Sequence, residues 1–97
     1  MFKNFASQGA EDIAYGFDTK AARKCLPSEL HRSARRKLNI LGTAGKLDDL
    51  KRPPGNHLEA LKGDLVGFHS IRINAQWRIV FRWQENGPAD IKTCDYH

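Results

Sequence analysis

Cysteine is scarce in this chain of 97 residues, and so are methionine, proline and long apolar runs. The two cysteines, Cys25 and Cys94, lie far apart and form no Cys-x-x-Cys spacing. That excludes a disulfide scaffold and a recognisable zinc site, and it fits reduced thiols in a cytoplasmic protein. No stretch approaches the roughly 18 apolar residues that a membrane-spanning helix needs. Residues 1–17 lack the basic-then-apolar order of a secretory leader. The expectation is a soluble, cytoplasmic chain with no membrane partner. Repeats and low-complexity tracts are absent too, so residues 1–97 read as one domain.

What is present is a basic excess. Sixteen Lys and Arg stand against eleven Asp and Glu, a formal charge of +5. Such a surface favours polyanions such as RNA, DNA or a ribosome, or an acidic protein partner. A hydrophobic content of 40% provides for an ordinary core.

The periodicities define the elements. Residues 1–5 alternate and predict a short first strand. Residues 9–16 predict a short helix with Ile13 and Ala14 facing inward, and residues 17–26 are ambiguous. The clearest helix is predicted over residues 27–44, with Pro27 in its first turn and Gly42 and Gly45 at its exit. Leu30, Ala34, Leu38 and Leu41 share one face. Arg32, Arg35, Arg36 and Asn39 share the other, which is either a solvated side or a surface for nucleic-acid phosphates. Lys51-Arg52-Pro53-Pro54-Gly55-Asn56 must be a loop.

Beyond residue 56 the period changes to two. Short strands are predicted at residues 57–61, 68–74, 77–83 and 90–96, with turns at residues 62–64 and 85–88. Helices first and hairpin-linked strands afterwards imply an α+β fold, a small mainly antiparallel sheet packed against two to three N-terminal helices. One sheet face would pack on the Leu30–Leu41 stripe. The other would display Arg72, Arg78, Arg82, Lys92 and Tyr96.

An arginine-rich sheet face suits an anion, because guanidinium grips phosphate through paired hydrogen bonds. Metal-free RNA cleavage needs a base for the 2′-hydroxyl, an acid for the departing 5′-oxygen and a cation for the charge on phosphorus. Glu59 or Asp95 is a candidate base and His97 a candidate acid. Arg78, helped by Lys62 or Arg72, is a candidate clamp. Tyr96 is placed to stack on a base or to orient His97. His57, His69, Asp95 and His97 lack metal-ligand spacing, so neither a metal nor another cofactor is expected.

Read in order, these residues resemble a known family. Pro53-Pro54-Gly55-Asn56-His57-Leu58-Glu59-Ala60-Leu61-Lys62-Gly63-Asp64 looks like the Pro-Pro-Gly-Asn-x-Leu-Glu-Ala-Leu-Lys-Gly-Asp segment of HigB-type toxins. Gly67 to Asn74, Gln76 to Phe81 and the final Asp95-Tyr96-His97 continue the match, which is close over residues 53–97. The resemblance implies the compact RelE-superfamily fold and a ribosome-dependent mRNA interferase that cuts mRNA in the A site without metal. It implies a HigA-like helix-turn-helix antitoxin as partner, and DNA contact only through that complex. It assigns Asp95, Tyr96 and His97 to the catalytic terminus, Arg78 to the phosphate, and Glu59 to the position of a base. Lys62 and Arg72 match basic positions. His57, on the same strand face as Glu59, remains a third candidate base. A non-catalytic RNA- or ribosome-binding module on the same fold is the alternative. A DNA-binding repressor is disfavoured, since the basic helix lacks a partner helix at recognition spacing.

Overall fold

The computed structural model describes every residue except Met1, Lys3, Pro53, Asn86, Tyr96 and His97, together with the side chain of Pro54. Three helices precede a four-stranded sheet: α1 (Gln8–Ala14), α2 (Lys20–Cys25), α3 (His31–Thr43), β1 (Glu59–Ala60), β2 (Phe68–Arg72), β3 (Trp77–Gln84) and β4 (Gly87–Asp95). The strands lie in the order β1-β2-β3-β4, each antiparallel to its neighbour. This is the α+β arrangement that the periodicities predict.

The helix ends follow from local chemistry. Ser7 caps α1 by accepting from the Ala10 N–H at 3.0 Å, and Thr19 caps α2 by accepting from Ala22 N–H at 3.1 Å. α1 stops earlier than residue 16, because Gly16 takes φ +81° and closes the helix. Its N–H donates to Ile13 O while Phe17 N–H donates to Asp12 O, the double bond of a Schellman ending. Residues 17–26, ambiguous in sequence, hold α2.

The predicted long helix starts later than residue 27. Leu26 is extended, as a residue before proline prefers, and Ser28–Leu30 form a 3₁₀ turn before α3. Gly42 does not end α3 but lies inside it. A Cβ there would sit 2.8 Å from the Phe2 ring, so the glycine admits the N-terminal aromatic.

The core lies between the helices and one sheet face. Ile13, Ala22, Leu26, Leu38, Leu41 and Leu50 meet Ile71, Ile79, Phe81 and Ile91. Full burial of each large aliphatic or aromatic side chain contributes about 1.5–3 kcal/mol. Among the described residues, the predicted first strand makes one parallel bridge, Phe5 to Ile91.

A β-bulge shapes β4. Val80 pairs with Lys92 but Arg82 pairs with Ala89, so β4 carries one extra residue. Asp90, at φ +51°, sits in the bulge and exchanges two hydrogen bonds with the Asn4 side chain, at 2.9 and 3.0 Å.

The segment before β1 is fastened to α3 by a buried amide. Asn56 is fully buried; its Oδ1 accepts from Lys37 Nζ at 2.6 Å and its Nδ2 donates to Leu50 O at 3.2 Å. Partial desolvation lowers the Lys37 pKa from its ordinary 10.5, and nearby Arg36 adds to this. Asn56→Ala should therefore destabilise the fold by about 1–3 kcal/mol, read by denaturant unfolding, because it strands both a buried carbonyl and an ammonium.

Asp12 joins α1 to α2. Its carboxylate accepts from the Thr19 hydroxyl and from Gln8 Nε2 at 2.9 Å, and these two bonds, Thr19 foremost, hold its pKa below the ordinary 3.8. The stabilisation is present above the unfolded-state pKa and disappears as pH falls through the lower folded value. Melting temperatures below about pH 4 should accordingly fall less steeply for Asp12→Asn than for the wild type. Parallel slopes for the two proteins would refute this assignment.

Candidate functional site

The candidate site is built on the sheet face away from the helices. Cross-strand register puts Glu59 opposite Ser70, Ser70 opposite Val80, and Arg78 between Arg72 and Cys94. A concave pocket of about 480 Å³ opens on this face, lined by Glu59, Lys62, Leu65, Ser70, Arg78 and Cys94, among others.

Arg78 departs from the sequence expectation. It is not displayed on an open face but is only 6% exposed. A buried guanidinium must find acceptors. Nε donates to Ser70 Oγ at 2.7 Å, and Nη2 donates to the His57 carbonyl and, at 3.4 Å, to Ser70 O. Nη2 also lies 3.6 Å from Glu59 Oε1, the charge partner. His57 has φ +46°, which turns its carbonyl toward the guanidinium. The candidate base and the candidate cation are thus in contact within one pocket.

The remaining assigned residues divide by location. Lys62 is exposed and lines the pocket. Arg72 flanks Arg78 in register, and its Nη1 stands 3.5 Å from His57 Nε2. His57 is exposed and precedes β1 rather than lying within a strand. Asp95 pairs with Trp77 in register, on the sheet face opposite Arg78 and Cys94, and accepts from Gln76 Nε2 at 3.2 Å. The structure therefore brings Glu59, Lys62, Arg72 and Arg78 together, while the Asp95 carboxylate is on the other face. Tyr96 and His97 lie outside the described residues. His69 faces the core, its ring stacked 6.2 Å from Phe81. Among the described residues no three His, Cys, Asp or Glu side chains are grouped to hold a metal.

Arg32, Arg35 and Arg36 are exposed on α3, which packs against the other side of the sheet. Arg32 and Arg35 line a separate groove of about 520 Å³ with Phe17, Asp18 and His31. The sheet stands between them and the Glu59–Arg78 pair.

Two parts of the site were not singled out by sequence reasoning. Ser70, fully buried, holds the arginine; the available signal was a hydroxyl on the same strand face as a guanidinium. The His57 carbonyl is a backbone group, which side-chain patterns do not report.

The chain and its fold have counterparts among known proteins. Residues 4–97 match the family described as RelE-like toxin of type II toxin-antitoxin system HigB. Toxin HigB-1 of Vibrio cholerae serotype O1 is 40% identical over 67 residues, 69% of this chain and 70% of that protein. Endoribonuclease HigB of Proteus vulgaris is 34% identical over 61 residues, 63% of this chain and 65% of that protein. The YoeB–YefM complex from Staphylococcus aureus has a similar fold, with a TM-score of 0.60 and 24% identity over 100% of this chain and 98% of that one. The YoeB/ParE toxin from Agrobacterium tumefaciens follows with a TM-score of 0.53 and 21% identity, covering 99% and 96% of the two chains. On the match along residues 4–97, this chain belongs to the HigB-like family of RelE-like toxins from type II toxin–antitoxin systems.

Proposed function

We propose that this chain is an endoribonuclease that cuts mRNA in the ribosomal A site by metal-free acid–base chemistry, and that a HigA-like helix-turn-helix antitoxin neutralises it in the cytoplasm. DNA contact belongs to the toxin–antitoxin complex rather than to the toxin alone. The observation that carries the reading is the Glu59–Arg78 pair in a pocket on a basic sheet face. The activity in the name of the Proteus vulgaris relative supports it.

In this mechanism a phosphate oxygen displaces Glu59 from Arg78. Glu59 then takes the proton of the 2′-hydroxyl, whose oxygen attacks the adjacent phosphorus. Arg78 stabilises the negative charge that accumulates on the phosphoryl oxygens. His97 gives a proton to the departing 5′-oxygen, leaving a 2′,3′-cyclic phosphate and a free 5′-hydroxyl. Tyr96 stacks on a base or orients His97, while Lys62 and Arg72 hold flanking charge. Asp95 acts by fixing the end of β4 rather than as the base, given the face its carboxylate occupies. Arg32, Arg35 and Arg36 serve as a second, remote contact to ribosomal phosphates.

Arg78 is buried and paired, so removing the whole side chain would destabilise the fold as well as the chemistry. Arg78→Lys keeps the charge but loses the planar fork. It should lower the cleavage rate on programmed ribosomes by about 10²–10³-fold. Glu59→Gln and His97→Ala should each lower it by about 10²–10⁴-fold. Melting curves separate these losses from unfolding, and a folded His97→Ala variant with full activity would overturn the acid assignment. Phenanthroline, which removes transition metals while leaving the Mg²⁺ that keeps the ribosome assembled, should leave the rate unchanged, whereas loss of cleavage that added zinc restores would refute metal-free cleavage.

A further inference from the structure

Beside the pocket, the same sheet face carries a second cationic cluster that the mechanism does not use. Phe68 lies opposite Arg82, and Lys92 lies opposite Val80. The Arg82 guanidinium carbon stands 4.7 Å from the centre of the Phe68 ring, and Lys92 Nζ stands 5.9 Å from it. Two cations thus converge on one aromatic ring. An aromatic face attracts each of them, but it does not remove their mutual repulsion. Only Arg82 has a carboxylate nearby. Its Nε lies 3.8 Å from Asp90 Oδ2, and that carboxylate is shared with the Asn4 amide. Lys92 has no carboxylate partner among the described residues. The cluster therefore holds excess positive charge in a fixed place.

Its position relative to the pocket identifies the anion. Arg78 pairs with Cys94 and Val80 pairs with Lys92, so Arg78 and Lys92 are diagonal neighbours on one face. Diagonal neighbours in a sheet are about 7–8 Å apart. That is comparable to the separation of successive phosphates along an extended single strand. Phosphate accepts from a guanidinium through two parallel bonds and is attracted by an ammonium as a point charge. We infer that Lys92 and Arg82, supported by the Phe68 ring, form a subsite for the RNA phosphate next to the scissile one. The subsite sets the direction in which the single strand crosses the sheet. This inference rests on the proposed ribonuclease activity, because it takes Arg78 to hold the scissile phosphate.

The test measures kcat and KM for cleavage of ribosome-bound mRNA by wild type, Lys92→Gln and Lys92→Arg, with melting temperature as a folding control. The mRNA is prepared with natural linkages, or with one uncharged methylphosphonate immediately 5′ or 3′ of the cleavage position. Lys92→Gln should raise KM about two- to fivefold, the loss of one exposed charge contact, with kcat nearly unchanged. Lys92→Arg should restore it. One of the two methylphosphonates should raise the wild-type KM and have little further effect on Lys92→Gln. A wild-type KM for Lys92→Gln, or equal methylphosphonate effects in both proteins, overturns the subsite while leaving the cleavage reading intact. Failure of the wild type to cut the natural mRNA overturns the cleavage reading itself.

Discussion

The position of one buried guanidinium governs the functional face of this protein. Arg78 stands in the middle of a sheet, where water cannot solvate it, so its hydrogen bonds must come from the fold. Ser70 supplies a hydroxyl from β2, residue 57 supplies a carbonyl, and Glu59 supplies the opposite charge from β1. Two of these groups lie on the stretch that leads into and forms β1, and the third on β2. Satisfying the arginine therefore ties that stretch to the middle of the sheet beside the pocket. The left-handed backbone of His57 and the brevity of β1 are consequences of that demand, since a longer regular strand would aim the carbonyl elsewhere.

The same arrangement keeps the candidate site electrostatically balanced. A carboxylate beside a guanidinium is neutralised, and neither group is left as an isolated charge in a partly desolvated place. In the proposed mechanism an incoming phosphate would offer Arg78 an alternative anion, and the exchange would release Glu59 only when there is a substrate for it to act on. Burial of the arginine makes the exchange selective for groups that can supply strong acceptors in the fork geometry.

The legibility of these features differs for physical reasons. The apolar face of α3 and the alternation of residues 77–83 were readable, because burial on one side imposes periods of 3.6 and two. The charge types of the site were readable for a similar reason: Glu59, Lys62, Arg72 and Arg78 fall at fixed positions in alternating segments. What escaped was the part set by distant neighbours. The pattern of residues 1–5 does not say how much of β4 is available to pair with it, and the described residues make one bridge. Asn56 reads as a loop residue by type, yet α3 and Leu50 bury it. The exposure of Arg78 depended on the path of residues 57–66, which composition does not reveal. Family resemblance singled out candidate catalytic types, but the face occupied by Asp95 came only from register.

The bulge at Asp90 acts as a phase switch. Before it, Ala89 shares a face with Arg82; after it, Lys92 and Cys94 share the face of Val80 and Arg78. The odd-numbered positions of β4 give way to the even-numbered ones at a single residue. That residue is clamped by Asn4, 86 positions away along the chain. Contacts of such separation carry a larger loop-closure entropy than local ones. The near-terminal Asn4 thus acts as a latch on the half of β4 that borders the pocket, and the phase of that strand is a property of the completed chain rather than of its own local sequence.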